Sequence, residues 1–206
     1  ARLPLAVTFH CVLGSWARVA GALGPVSPVR MWQRRGADLT AVSSMLAADV
    51  HRAGADDPVT VLPNGITVED WRLERPGPQE RRPHRPVTVV ASLRWVERKR
   101  PLQVVRAFAE AVRSVPGTDA ILKIYGDGPL RERLTQEVAE SGLAGRIELV
   151  GRVERTELAQ AFTRADIYLQ TSPAESFGIS TLEARSAGLA VVARRSSGVR
   201  DFITDG

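Results

Sequence analysis

From Val87 onward the chain alternates short apolar runs with amphipathic stretches, and this alternation restricts the fold more than any other feature. Val87 to Ala91, Ala120 to Tyr125, Arg146 to Val150, Asp166 to Gln170 and Ala190 to Val192 read as strands. Between the first four lie Pro101 to Val115, a stretch from Pro129 to near Gly142, and Glu154 to Thr163, all with helical patterning. Strand alternating with helix argues a parallel sheet covered on both faces, since each parallel connection needs a long crossover. The expected class is α/β with a Rossmann-like sheet. Ligands of such sheets lie beyond the carboxyl ends of the strands, so the loops after Ala91, Tyr125, Val150 and Gln170 are the ones expected to face a site.

The first part of the chain carries the same rhythm less completely. Leu5 to Phe9 is a strand pattern with His10 at its end, Pro28 to Arg35 is helical, and Asp38 to Val42 is a second strand. Ser43 is placed to cap a helix reaching about Ala53, Val59 to Leu62 is a short strand, and Pro63-Asn64-Gly65 turns the chain out of it. Arg72 to Pro86 is rich in Arg, Pro and Glu and reads as an exposed linker. The expected organisation is therefore the end of one domain over 1–71, a linker over 72–86, and most of a second domain over 87–206.

Several function classes are unattractive from composition. No apolar run approaches the ~20 residues of a membrane span, and no basic segment followed by an apolar one marks a leader. Cys11 is the sole cysteine, so no intrachain disulfide can form and a reducing cytoplasm suits the chain. His10, His51 and His84 are scattered without zinc-ligand spacing, and no Asp-x-Asp pattern occurs. The net charge of +5 is carried almost wholly by arginine. These arginines are interspersed with acids, and no nucleic-acid motif or aromatic stacking platform accompanies them. Phosphates of a small donor, or an anionic membrane surface, account for the bias without a nucleic-acid partner. Arg30, Arg34 and Arg35 around Met31 and Trp32 form a short pattern suited to a bilayer surface. The competing reading puts Trp32 in the core.

The chemistry concentrates between Pro173 and Val192. Glu175 and Glu183 stand eight positions apart around Ser176-Phe177-Gly178, with Glu175 in a strand-to-helix loop and Glu183 inside the helix. The N–H groups of Phe177, Gly178 and Ile179 would open that helix, where unpaired amides and the helix dipole favour an anion. An anion cradle between two acceptors suits a diphosphate flanked by hydroxyl-bearing groups, the layout of a nucleotide sugar. In the loop after the strand that starts at Val87, Arg94 and Lys99 add cations. A basic run at a helix start opposes the dipole unless an anion is bound.

This string, with its Phe-Gly, Leu-Glu-Ala and Ala-Gly companions, resembles the signature of retaining glycosyltransferases of family 4, also called group 1, of GT-B fold. The segment from Arg94 to Lys99 is similar to the family's Arg-Leu-x-x-x-Lys, although Leu93 and Trp95 depart from its usual context. The resemblance implies a diphosphate clamp at Arg94 and Lys99, a ribose acceptor at Glu183, and donor-sugar contacts at Glu175 and His10. Backbone amides of Phe177, Gly178 and Ile179 would hold sugar and phosphate oxygens, and Gly151, Arg152 and Val153 would lie near the base. It implies metal-independent transfer from a nucleoside diphosphate sugar to a sugar, lipid or small-molecule acceptor, in the cytoplasm or at its membrane face. The GT-B fold needs more chain than 206 residues, so the sheets are expected to be incomplete at both ends, and the piece alone inactive. The alternative is a non-catalytic nucleotide-sugar-binding piece.

Overall fold

The computed structural model describes residues 5–74 and 85–204. Residues 75–84 of the expected linker, His84 among them, lie outside the described residues. The described chain forms two compact units. One comprises 5–65 with 174–178 and 195–204, and the other 66–74 and 85–173 with 179–194.

The first unit holds three parallel strands, β1 (Leu5–Phe9), β2 (Ala37–Ala41) and β3 (Thr60–Val61), in that spatial order. Helices α1 (Ser15–Ala22) and α2 (Pro28–Arg34) connect β1 to β2, and α3 (Ser44–Arg52) follows β2. The Ser43 hydroxyl accepts from the Leu46 N–H at 3.2 Å, the cap its sequence position anticipates. Helix α1 is absent from the sequence reading for a physical reason. Its buried side is Ala17 and Ala20, whereas Trp16 and Val19 are 41% and 61% exposed, the reverse of the patterning that identifies a globular helix.

The second unit is a five-stranded parallel sheet. Its elements are β4 (Val87–Ser92), α4 (Pro101–Ser114), β5 (Ala120–Tyr125), α5 (Arg131–Glu140), β6 (Ile147–Gly151), α6 (Arg155–Thr163), β7 (Ile167–Gln170), α7 (Ile179–Ser186) and β8 (Ala190–Ala193). The spatial order is β6-β5-β4-β7-β8. The chain winds outward from β4 to β6, then resumes on the other side of β4, so the direction of winding reverses between β4 and β7. Because successive strand residues point to opposite faces, Val89, Ala91, Leu122, Ile124 and Ile147 pack under α4 and α5. Val90, Tyr125 and Tyr168 face α6, α7 and the Trp71 ring. Fully buried side chains such as Leu122, Ile124 and Phe162 each contribute about 1.5–3 kcal/mol relative to exposure.

At the linker's end, Arg85 pairs with Asp166 through both carboxylate oxygens, and the Thr88 N–H joins at 2.9 Å. Among the described residues no helix is long and apolar enough to cross a membrane.

Candidate functional site

A cavity of about 540 Å³ opens at the carboxyl ends of β4, β5 and β6. Three loops build it, and backbone hydrogen bonds join them. The Leu93 N–H donates to the Tyr125 carbonyl (3.1 Å), the Trp95 N–H to that of Asp127 (2.9 Å), and the Gly126 N–H to that of Gly151 (2.8 Å). The fit requires glycine at two positions. Gly126 and Gly128 have φ of 130° and 158°; a Cβ at Gly126 would overlap the Leu93 carbonyl, and one at Gly128 would lie 2.5 Å from that of Trp95. The backbone approaches too closely for any side chain there.

The lining is Ser92, Leu93, Arg94, Tyr125, Gly126, Asp127, Arg152, Val153 and Leu158. Asp127 accepts from Arg131 (3.0 Å) and from the Gly128 N–H (2.7 Å). Its carboxyl is held below the ordinary range, chiefly by the Arg131 hydrogen bond and then by the Gly128 amide, with the Arg152 charge adding to the effect. The Arg131 guanidinium lies 4.8 Å over the buried Trp95 ring, a cation–π contact. With Asp127 matched by Arg131, Arg94 and Arg152 leave the cavity cationic. A cationic hollow of this size with largely apolar walls, at a sheet's carboxyl edge close to the reversal of winding, suits an anionic ligand with an apolar part.

Arg94 and Val153 thus share one cavity. Lys99 is half-buried in the same unit, at the end of a 3-10 turn Glu97–Lys99. Arg98, Lys99 and Arg100 precede α4, which begins at Pro101 as expected, and Arg100, its N-cap residue, is left-handed at φ 52°, ψ 55°. Among the described residues it is the one non-glycine with positive φ. The β7–α7 loop is tied to this turn: the Thr171 hydroxyl donates to the Arg100 carbonyl (3.3 Å) and that of Ser172 to Arg98 (3.4 Å).

Glu183 is half-buried in the second turn of α7. Burial pushes its carboxyl above the usual range, and the Arg155 charge partly offsets this. Arg155 stacks over Trp71 at 5.2 Å and lies 3.5 Å from Asp70. The helix start is rooted by Tyr168, whose hydroxyl donates to the Ser92 carbonyl (3.2 Å) and shares a hydrogen bond with the Ser180 hydroxyl (2.8 Å). Ile179, the first helical residue, is exposed.

The remaining expected residues belong to the first unit. His10 is exposed immediately beyond β1. Glu175 is half-buried, Phe177 packs against Phe202 with ring centroids 5.1 Å apart, and Gly178 has φ 95°. Arg152, expected with Gly151 and Val153 near the base, lines the cavity beside Val153. Tyr125 and Arg155 are not among the expected site residues, Arg155 because its relation to Glu183 spans two helices.

The profile described as Glycosyl transferases group 1 matches residues 77–206, more than half of the chain. The chain is 28% identical over 191 residues to the sulfoquinovosyl transferase SQD2 of Arabidopsis thaliana, covering 88% of this chain and 35% of that protein. It is 34% identical over 129 residues to the GDP-mannose-dependent alpha-(1-6)-phosphatidylinositol monomannoside mannosyltransferase of Mycolicibacterium smegmatis, covering 59% and 33% respectively. Among solved structures, Anabaena HepE in complex with UDP is similar with a TM-score of 0.78 at 22% identity, over 98% of this chain and 56% of that one. The chain therefore spans about a third of the length of these two curated relatives.

Proposed function

The chain belongs to the group 1 glycosyl transferases, with parallel sheets of GT-B type, and on that premise we propose that the whole protein transfers a sugar from a nucleoside diphosphate sugar to an acceptor hydroxyl with retention. The observation that carries this reading is the cationic cavity at the ends of β4–β6, lined by Arg94 and Arg152. In this reading the bond between the anomeric carbon and the diphosphate oxygen breaks as the acceptor oxygen bonds to the same carbon. The acceptor proton passes to the leaving phosphate. Charge grows on the diphosphate during this step, so Arg94 and Lys99 stabilise the transition state more than the ground state. Arg94 offers a planar fork and Lys99 a point charge.

Glu183 accepts from the ribose hydroxyls, and the amides of Phe177, Gly178 and Ile179 hold sugar and phosphate oxygens. Val153 borders the base. Glu175 and His10 address the donor sugar, the imidazole offering a hydrogen bond that orients it. The cationic side chains carry the neutralisation, so the reaction is assigned no resident metal or cofactor, and it is placed in the cytoplasm.

Calorimetric titration of the full-length protein with UDP, GDP and ADP tests the site. Lys99→Ala and Glu183→Ala are each expected to weaken the tightest of these at least tenfold, and unchanged affinity in both overturns the assignment. Binding without nucleotide release from UDP-glucose or GDP-mannose would favour the non-catalytic alternative.

Peripheral contact with an anionic bilayer is a second reading, favoured by α1 rather than by the Arg30–Arg35 segment. Arg30 is held by Asp56 at 2.6 and 2.7 Å, and Trp32 packs on Phe9. By contrast Trp16, Val19 and Leu23 are exposed beside Arg18, and residues 5–37 contain no Asp or Glu. Flotation with phosphatidylglycerol vesicles should recover the protein and phosphatidylcholine vesicles should not. Equal recovery, or loss of none of it in Trp16→Ala/Val19→Ser, removes this reading.

A further inference from the structure

Beyond β8 the chain forms a short 3-10 turn, Gly198–Asp201, that belongs to the first unit. The Asp201 carboxylate accepts two hydrogen bonds from one residue at the start of α3, from the Ser44 N–H at 2.6 Å and the Ser44 hydroxyl at 2.5 Å. Its side chain is 19% exposed, with Arg200 Nε 3.9 Å away. A helix start presents unpaired amides and the positive end of its dipole, so a carboxylate is stabilised there.

The opposite end of the same turn reaches the loop that carries Glu175. The Gly198 N–H donates to the Glu175 carbonyl oxygen at 2.8 Å. A Cβ on Gly198 would overlap the Ser176 carbonyl and come within 3.0 Å of the Ser43 hydroxyl. Ser197 and Val199 on either side are buried, and the Phe202 ring that follows packs on Phe177. One four-residue turn therefore connects the first turn of α3, through Asp201, to the backbone of Glu175, and its Gly198 end is packed too closely to admit a Cβ.

We propose that Asp201 is a positioning residue for Glu175. It fixes the turn on α3, the turn fixes the Glu175 backbone, and the carboxylate of Glu175 is thereby held where the donor sugar is addressed. The proposal rests on the assignment of Glu175 to the donor sugar. Its physical lever is large, because a displacement of about 1 Å in a reacting constellation costs roughly 10²-fold in rate.

The test uses the full-length protein with Asp201→Ala, Asp201→Asn, Ser44→Ala, Glu175→Gln and the Asp201→Ala/Glu175→Gln pair. Hydrogen exchange of the Gly198 amide, which donates to the Glu175 carbonyl oxygen, is read first, since it needs no donor sugar. Asp201→Ala should accelerate exchange there at least tenfold and leave the peptides of β4 and β5 unchanged; unaltered exchange at Gly198 overturns the proposal. Nucleoside diphosphate release is then measured with UDP-glucose and GDP-mannose. Asp201→Ala should lower kcat ten- to a hundredfold with UDP or GDP affinity within twofold, and Asp201→Asn, which keeps one acceptor oxygen, should recover part of the loss.

The pair separates positioning from general stability. If Asp201 acts through Glu175, the double variant is no slower than Glu175→Gln alone, whereas multiplying losses overturn the proposal. Should Asp201→Ala not fold, Ser44→Ala removes one of the two hydrogen bonds and carries the same comparison. A Glu175→Gln protein with full turnover, beside accelerated exchange in Asp201→Ala, would sink the role of Glu175 and leave the mechanical link intact.

Discussion

Glu175 and Glu183 are eight positions apart in sequence, yet they stand in different compact units and are held by different means. Glu183 is placed by helix geometry. Thr181 and Ala184 of α7 are buried in the second unit, and burial raises the carboxyl's affinity for a proton. Glu175 sits on an irregular loop whose backbone is held by the Gly198 amide and whose neighbour Phe177 packs on Phe202. The contrast teaches that one short motif can serve two separately packed structures. Under the proposed function, nucleotide affinity and chemistry at the donor sugar would then be separable.

The largest expected effect is on the Glu175 side. Glu175→Gln in the full-length protein should lower kcat by about 10²–10³-fold while UDP or GDP affinity changes less than twofold, the pattern of a group that acts on the reacting sugar. His10→Ala should follow the same pattern. Steady-state kinetics beside calorimetry decides, and a loss of nucleotide affinity equal to the loss of kcat breaks the comparison. Next come the cations of the other side. Arg94→Ala should weaken nucleoside diphosphate binding by about ten- to a hundredfold, as expected for roughly 1.5–3 kcal/mol per charged hydrogen bond. The loss should shrink as salt is added.

Glu183 sharpens the comparison through pH. Its folded pKa is raised above the unfolded value by burial, so the native state binds its proton more tightly than the unfolded chain does. The stability this contributes is complete below the ordinary carboxylate range and is lost as pH rises through the folded pKa. Glu183→Gln should therefore melt higher than the parent at pH 7, with the gap closing near pH 4. Nucleotide affinity should move the other way. It should fall in the parent as acid protonates Glu183, and stay flat and about tenfold lower in Glu183→Gln. A flat parent profile would remove Glu183 from the ribose.

The smallest effect concerns Arg100. Its left-handed backbone before Pro101 costs a non-glycine residue roughly 1–2 kcal/mol; Arg100→Gly relieves this in the folded state, and glycine's greater freedom in the unfolded chain offsets part of the gain. We expect Tm to rise by up to about 4 °C with nucleotide affinity unchanged. A loss of affinity would show that its side chain belongs with Arg94 and Lys99 at the diphosphate.

The sequence alone determined the α/β class and the strand order along the chain, and placed most strands and helices within a few residues. Period-2 apolar runs and the 3.6-residue pattern of α4 are local properties that follow from backbone geometry. Helix α1 escaped because alanines form its buried face, so its large apolar residues point the wrong way for a core-facing pattern. The left-handed Arg100 escaped because arginine carries no preference for that conformation.

Only the tertiary structure decided what meets what. Ser44 and Asp201 are 157 positions apart, and no spacing rule connects a serine at a helix start to an aspartate in a distant turn. Arg155 acts on Glu183 across two helices, and Arg85 meets Asp166, 81 positions further along the chain. Periodicity is set by a residue's immediate neighbours along the chain, and so it can be read in one dimension. The division of Glu175 and Glu183 between two units depends on packing between segments far apart in sequence, and that is fixed only when the chain closes on itself.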